Sequence, residues 1–378
     1  MQDLAPNSAM TVSHPYARTA LVLQGGGALG AYQAGVYEVM LASGLAIDWV
    51  AGISIGAINA ALIAGNPPEL RIKRLRQFWE QITSRLVTPM PPWGDEARRA
   101  FNRYSAAASV FAGQPGFFTP RFPPAPLRLH GSVGATSYYD TDLLRETLTE
   151  LVDFDLVNRG PVRLSVGAVN VRTGNQVYFD SSRQRIRVEH IMASGALPPG
   201  FPPVVIDGEA FWDGGLVSNT PLSYVMDAEE RQDLLAFQVD LFCSRGRLPG
   251  DLFDVEQRRK EIVYSSRTRT ATDHAAASQV LRRAIVDLYE HLPPALRQDE
   301  HLRALRELGE DRSMAIVHLI YRPRGYELQS SDYEFSRASM LDHWNAGRDD
   351  MQRTLREPGW RAKPSRHSGI SVFDIGER

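Results

Sequence analysis

Two short apolar runs, each ending in a turn of small residues and continuing as a helical pattern, constrain this chain more than any other feature. The first, TALVLQ from Thr19, has few polar breaks, which suits a strand buried on both faces of a parallel sheet. The glycine-rich stretch Gly25 to Gly30 ends it. AYQAGVYEVMLASGL then sets Val36, Val39, Met40 and Leu45 at helical spacing, with Gly44 as the C-terminal cap. The second run, Asp48 to Ile53, passes through Ser54 into IGAINAALIAG, a small-residue helix stopped by Gly65, Asn66 and two prolines. Strand, turn and helix, twice over, imply a parallel sheet with helices on its faces.

Downstream the reading changes. From Thr88 to Gly134, Pro115, Pro120, Pro123, Pro124 and Pro126 interleave with Phe117, Phe118 and Phe122, and a long irregular insertion is expected. Such loops serve as lids or binding segments. The three phenylalanines lack a helical stripe to bury them, so they either face lipid or pack on the core. A helix is expected over Thr141 to Leu151, and strands over Val162 to Val171 and Gln176 to Asp180, turned by Thr173-Gly174-Asn175. VVI-DGE-AFW reads as a second hairpin with Asp207-Gly208 as its turn. LLAFQVDLF is a further buried strand. Beyond Cys243 the sequence is charged and helical, and Leu281, Ile285, Leu288 and Leu292 predict one buried helix stripe. Ala315 to Tyr321 is a late strand for the same sheet, Asp332 to Leu355 a last helix, and serine and glycine loosen the end.

Composition narrows the function classes. Over 378 residues, Lys plus Arg is 42 against Asp plus Glu at 44, so no overall attraction to nucleic acid or anionic lipid exists. Any membrane contact must be apolar or local. The single Cys243 leaves no intrachain disulfide or cysteine zinc cage, and the first 18 residues lack a signal-peptide pattern, so a cytoplasmic protein is expected. No apolar stretch approaches the roughly 20 residues of a membrane span.

Two segments carry chemistry. Gly52-Ile53-Ser54-Ile55-Gly56 is a G-x-S-x-G on a strand-to-helix turn, where the flanking glycines relieve crowding and the hydroxyl projects at the sheet edge. The other reading of it is an ordinary turn with a capping serine. Gly25, Gly27 and Gly30 satisfy G-x-G-x-x-G, so a dinucleotide site is the rival reading. That site needs an acid at the far end of the second strand, and Asp48 lies at its start. Bare glycine amides also converge on anions, so Gly26 and Gly27 could hold the oxyanion of an intermediate formed at Ser54. Serine needs a base. No histidine stands in a setting that commends it; His318, in a strand, is the one kept, and His343 reads as a surface helical residue. Asp213, followed by Gly214 and Gly215, is the carboxylate alternative. No metal-ligand spacing appears, and no cofactor is expected.

Taken together and in order, QGGGALG-AYQAG, GISIGAINAAL, SGALPPGFPPV and DGGLVSNTPL resemble the patatin-like phospholipases over about Thr19 to Phe242. The resemblance implies a three-layer α/β/α sandwich with a mainly parallel sheet and a serine–aspartate dyad without histidine. It makes Ser54 the nucleophile, Asp213 the base, Gly25, Gly26 and Gly27 the oxyanion hole, and Gly52 and Gly56 the elbow glycines. It divides the chain into a flexible tail (1–18), a catalytic domain (19–242, with the insertion at about 88–134) and a mostly helical extension packed on it (243–378). One departure stands out: many members carry Arg or Lys where this chain has Leu29, which weakens a phospholipid preference. The implied activity is hydrolysis of lipid carboxylic esters, with a lipid or acyl ester as substrate and peripheral contact with a membrane or micelle. A non-catalytic lipid- or partner-binding protein and a Ser-His-Asp esterase are the alternatives.

Overall fold

The computed structural model describes residues 12–87, 94–132, 134–228, 230, 232–309, 312–327, 329–365 and 368–375, with the backbone alone at 266–269 and 271. β1 (Arg18–Leu23) leads through the glycine turn into α1 (Ala31–Ala42), and β2 (Trp49–Ile53) through Ser54 into α2 (Ile55–Ala64). α3 (Pro68–Ile82) and α4 (Asp95–Ala112) follow, then a two-residue pair, β3 (Thr119–Pro120) and β4 (Tyr139–Asp140), and the helices α5 (Asp142–Leu151) and α6 (Phe154–Arg159). β5 (Arg163–Asn170) and β6 (Gln176–Asp180) form an antiparallel pair, and after α7 (Val188–Ser194) come β7 (Val204–Ile206) and β8 (Glu209–Asp213), also antiparallel. Asp207 and Gly208 both have positive φ, 49° and 86°, as their two-residue hairpin turn requires. α8 (Leu222–Met226), β9 (Leu234–Asp240), α9 (Leu252–His291), α10 (Glu300–Leu308), β10 (Met314–Ile320), α11 (Arg337–Arg356) and β11 (Ile370–Asp374) complete the chain.

The central sheet runs β11-β10-β9-β1-β2-β5-β8-β7, with β6 on the other edge of β5, and is parallel from β11 to β5. Alternation along β1 feeds two cores. Leu21 and Leu23 join α1, α2, α3 and α11 on one face, while Ala20 and Val22 meet α8 and the middle of α9 on the other. This is the three-layer α/β/α sandwich. Its sheet continues past residue 242, since β10 and β11 extend it beyond β9. α11 also crosses α1 at close range: a β-carbon on Gly35 would lie 1.9 Å from the Trp344 carbonyl oxygen, and one on Gly347 2.0 Å from that of Tyr32. The glycine of AYQAG is thus a packing residue for the C-terminal part of the chain.

Four expectations are corrected. α4 occupies residues expected to be irregular; its buried positions, Arg98, Asn102, Ser105, Ala106 and Ser109, keep helical spacing but are mostly polar, so apolar periodicity was blind to them. The stripe Leu281, Ile285, Leu288 and Leu292 is not the buried face of α9; Leu281 and Leu288 are exposed, and Gln279, Arg283 and Val286 are buried instead. The C-terminal stretch does not loosen but pairs as β11 with β10. Of the expected tail, 1–11 lies outside the described residues, while Tyr16 is buried and donates its hydroxyl hydrogen to the Ala362 carbonyl at 2.8 Å. Thr88 to Trp93, the start of the expected insertion, also lies outside the described residues.

Candidate active site

Register on β5 assembles the site. β2 pairs with the first part of that strand and ends with Ile53 opposite Gly167. β6 occupies the other edge, so β8, entering antiparallel, takes the place β2 vacates and sets Asp213 opposite Ala168. Consecutive residues of one strand therefore hold Ile53, the residue before Ser54, and Asp213. The two side chains face one cavity, and the Ser54 hydroxyl lies near enough to the Asp213 carboxylate to favour its charged form.

Ser54 sits in a left-handed conformation, φ 56° and ψ −125°, a strain of about 1–3 kcal/mol for a residue with a β-carbon. Its neighbours hold it there. A β-carbon on Gly52 would lie 2.3 Å from the Gly56 carbonyl oxygen, and one on Gly56 2.4 Å from that of Leu23, so both glycines are required for the turn to fit. The Ser54 amide is bifurcated between the Ser194 carbonyl (3.1 Å) and the Ser194 hydroxyl oxygen (3.0 Å). Ser194, whose own hydroxyl donates to the Gly167 carbonyl at 2.6 Å, is a support residue that sequence reasoning missed. It is the first residue of SGALPPGFPPV, which marked the segment without giving Ser194 a role.

Burial pushes the Asp213 carboxyl up to about 7, against the Gly215 amide at 2.7 Å and the Ser54 hydroxyl, both of which favour the charged form. Among the described residues no cation offsets the desolvation.

The glycine loop lies beside this pair. The Gly25 amide, counted by the resemblance among the oxyanion donors, already donates to the Asn219 carbonyl at 3.1 Å, and the Asn219 side-chain amide donates to the Gly25 carbonyl at 2.9 Å. Asn219 thereby pins the loop, and Gly25 is needed for space, since its β-carbon would lie 2.5 Å from Asn219 Oδ1. Among the described residues the amides of Gly26 and Gly27 have no acceptor. The next amide, Ala28, donates to the Asp332 carbonyl at 2.8 Å, and His343 Nδ1 lies 3.3 Å from the Ala28 carbonyl. Lys260 in turn holds the Asp332 carboxylate at 2.8 Å and 2.9 Å and the Gln329 carbonyl at 2.9 Å. The C-terminal part of the chain thus backs the loop, a role no local pattern announced. His343 is buried rather than on the surface.

Gly26, Gly27, Ser54 and Asp213 open on one cavity of about 360 Å³. Its walls are largely apolar: Ile55 and Ile58 from α2, Phe117 and Phe118, Phe201, and Phe335. Phe117 and Phe118 therefore pack rather than face solvent, in edge or tilted contacts with Phe201 and Phe335 at 5.3–6.3 Å. Phe122 is exposed. Among the described residues no histidine lines the cavity, and His318 lies in β10 with Nδ1 3.8 Å from Asp240, so the Ser-His-Asp alternative has no base at hand. Leu29 is buried, and no cation stands in its place. Asp48 caps the start of β1, accepting from the Thr19 amide at 2.8 Å, and does not reach the glycine loop. Chemically, the arrangement offers a hydroxyl with a neighbouring base, two free amides and an apolar chamber.

Residues 21–226, more than half of the chain, match the family described as patatin-like phospholipase, and 262–367 match one described as patatin phospholipase. A 70-residue stretch is 40% identical to patatin-like phospholipase domain-containing protein 7 of Rattus norvegicus, covering 18% of this chain and 5% of that protein. Among solved structures, VipD from Legionella pneumophila is 15% identical with a TM-score of 0.40, over 96% of this chain and 73% of that one. ExoU in complex with SpcU from the type III secretion system of Pseudomonas aeruginosa is 16% identical with a TM-score of 0.25, over 78% and 68%. At such overlap neither structure bears on what this chain does.

Proposed function

The chain belongs to the patatin-like phospholipase family, and from that membership we propose that it is a serine acyl hydrolase cleaving carboxylic esters of lipids through a Ser54–Asp213 dyad. The observation that carries the reading is the buried Asp213 carboxylate, its pKa pushed up to about 7, sharing one cavity with the Ser54 hydroxyl and the unengaged Gly26 and Gly27 amides. An aspartate near its ordinary value of about 3.9 would be too weak a base for serine. Raised to about 7, it matches the pH at which it must both take and return a proton.

The steps follow from these positions. Asp213 accepts the Ser54 proton as Oγ attacks the ester carbonyl carbon. The carbonyl oxygen becomes an oxyanion and receives hydrogen bonds from the Gly26 and Gly27 amides, a contribution of about 3–4 kcal/mol per well-placed donor in comparable sites. Collapse expels the alkoxide, which takes the proton from Asp213 and leaves the acyl group on Ser54. Water, deprotonated by Asp213, then attacks the acyl-enzyme, and Ser54 recovers the proton as the fatty acid departs. The strained backbone at Ser54 keeps Oγ aimed throughout.

The apolar walls suit an acyl chain, and at about 360 Å³ the cavity is at the lower end of the size of ligand sites, which favours a single chain. With Leu29 buried where many members of the family carry Arg or Lys, selectivity rests on the acyl group more than on a charged headgroup.

The experiment is labelling with a fluorophosphonate ester, followed by turnover of a medium-chain p-nitrophenyl ester. The label is expected on Ser54, and Ser54→Ala is expected to lose label and turnover together. Undiminished turnover by Ser54→Ala would remove the dyad; a folded protein that neither labels nor turns over ester would favour lipid binding without catalysis.

A further inference from the structure

α4 is folded inside out. It buries Arg98, Asn102, Ser105 and Ser109, and turns Tyr104 and Phe111 to solvent, Phe111 at 83% exposure. A surface helix ordinarily does the reverse. The next loop repeats the pattern, with Phe122 at 90%, Leu127 at 78% and Leu129 at 83% exposure. Single exposed apolar residues need no explanation, but a contiguous group marks an interaction site. The segments that carry them are tied together: the Tyr139 hydroxyl donates to the Val110 carbonyl at 2.9 Å, the Arg121 amide to the Tyr138 carbonyl at 2.9 Å, and the Tyr138 amide to the Pro199 carbonyl at 3.0 Å. The patch also runs into the cavity, because Val110 and Leu197 line that chamber and are 42% and 40% exposed.

Charge identifies the partner. Between Ala97 and Tyr139 the chain has five arginines and no Asp or Glu, although the whole protein is net −2. Arg98 is buried against Asp342, and Arg121 pairs with Asp140. Arg99 and Arg103 are exposed and have no carboxylate partner among the described residues; Arg99 donates to the Gly325 carbonyl and Arg103 lies over the Phe253 ring. The area has acidic edges: Asp95 and Glu96 are exposed in the first turn of α4, and Asp251, Asp254 and Glu256 flank Phe253.

We propose that the outward face of α4 and the 121–129 loop dock on an anionic lipid layer, seating the cavity mouth against it. Aromatic and leucine side chains enter the headgroup boundary while the arginines meet the lipid charge. A soluble protein partner would not require the exposed group to be continuous with the chamber; a lipid layer, which must deliver a chain into it, does. The proposal rests on the acyl-hydrolase reading for what is delivered, and its test is separable from that reading.

The full-length Ser54→Ala protein, which cannot consume the probe, is sedimented with vesicles of phosphatidylcholine alone and of equal parts phosphatidylcholine and phosphatidylglycerol. Binding to the mixed vesicles is expected, weakening as salt rises. Adding Phe111→Ser, Phe122→Ser and Leu129→Ser, none of which lines the cavity, should weaken it at least about tenfold, given the transfer energy of three large side chains. Arg99→Gln with Arg103→Gln should lower affinity for mixed vesicles about fivefold or more and leave phosphatidylcholine alone unaffected. In the Ser54 background both variants should keep turnover of a soluble short-chain ester. No vesicle binding by the parent, equal binding by the serine variant, or a dimer that the serine variant dissociates would each overturn the surface. Soluble-ester turnover lost with Ser54 but no vesicle binding leaves the chemistry standing and removes the surface; patch-dependent binding without any esterase activity does the opposite.

Discussion

α2 and α4 both line the cavity, yet they are opposite kinds of helix. α2 is buried at every position, Ile55 to Ala64, and is fixed by the sheet beneath it. α4 buries polar residues and exposes aromatic ones. In the mechanism proposed above, the first belongs to the machinery that does chemistry, where position must be held to fractions of an ångström. In the docking proposed above, the second belongs to the wall through which substrate arrives, where the surroundings matter more than the frame. Changes on the α2 side should therefore alter turnover with little effect on lipid contact, and changes on the α4 side the reverse.

The largest expected effect is on the α2 side. Asp213→Asn keeps shape and removes the base, and should lower kcat on a soluble ester by about 10³-fold or more, read against an unchanged vesicle affinity. Gly27→Ala comes next. Its φ is +56° and the added β-carbon would lie 2.0 Å from the Asp332 carbonyl oxygen, so the loop must shift and kcat should fall about 10²-fold. If it leaves kcat intact, Gly27 is not a donor.

The pH profile tests the same side. With Asp213 titrating at about 7, kcat/KM should drop about tenfold per unit of pH below that value, a limb whose absence would contradict the base assignment. Stability moves in the opposite sense. The folded-state value lies above that of the unfolded chain, so this group's contribution is fully present below about pH 4 and is lost as pH rises through about 7. Asp213→Asn should accordingly raise the melting temperature most at pH 8, as chemical or thermal unfolding at two pH values would show.

Two smaller effects sharpen the comparison. Lys260→Met releases Asp332 and Gln329 from behind the glycine loop, and kcat should fall about fivefold with KM nearly constant, a split expected when only the transition state loses support. Lys260→Arg should restore part of it. Arg98→Ala removes a buried contact with Ser339 and Asp342, and should cost about 2 kcal/mol of stability by denaturant titration while soluble-ester turnover stays within about twofold.

The elements of the edge that carries Ser54 and the glycine loop were written in the local sequence. Unbroken apolar runs can satisfy themselves only as strands buried on both faces, and glycine fits where backbones approach or φ turns positive, so β1, β2, their turns and the Asp207-Gly208 hairpin were legible locally. Ser54 and the glycines declared themselves for the same reason. Tertiary structure decided the rest. Ser54 and Asp213 come to one place because β2, running parallel, and β8, running antiparallel, both end on the same edge of β5, a matter of register between segments far apart in the chain. Gly25 lost its donor to Asn219, and the loop gained its backing from Asp332 and His343, through contacts that have no local sequence signal. α4 went unread because its periodicity is carried by polar residues, of which Arg98 is buried only once Asp342 and Ser339 stand opposite it. Local patterns report which surface a segment must hide; which partner hides it depends on the assembled neighbours, whose packing a single segment does not encode.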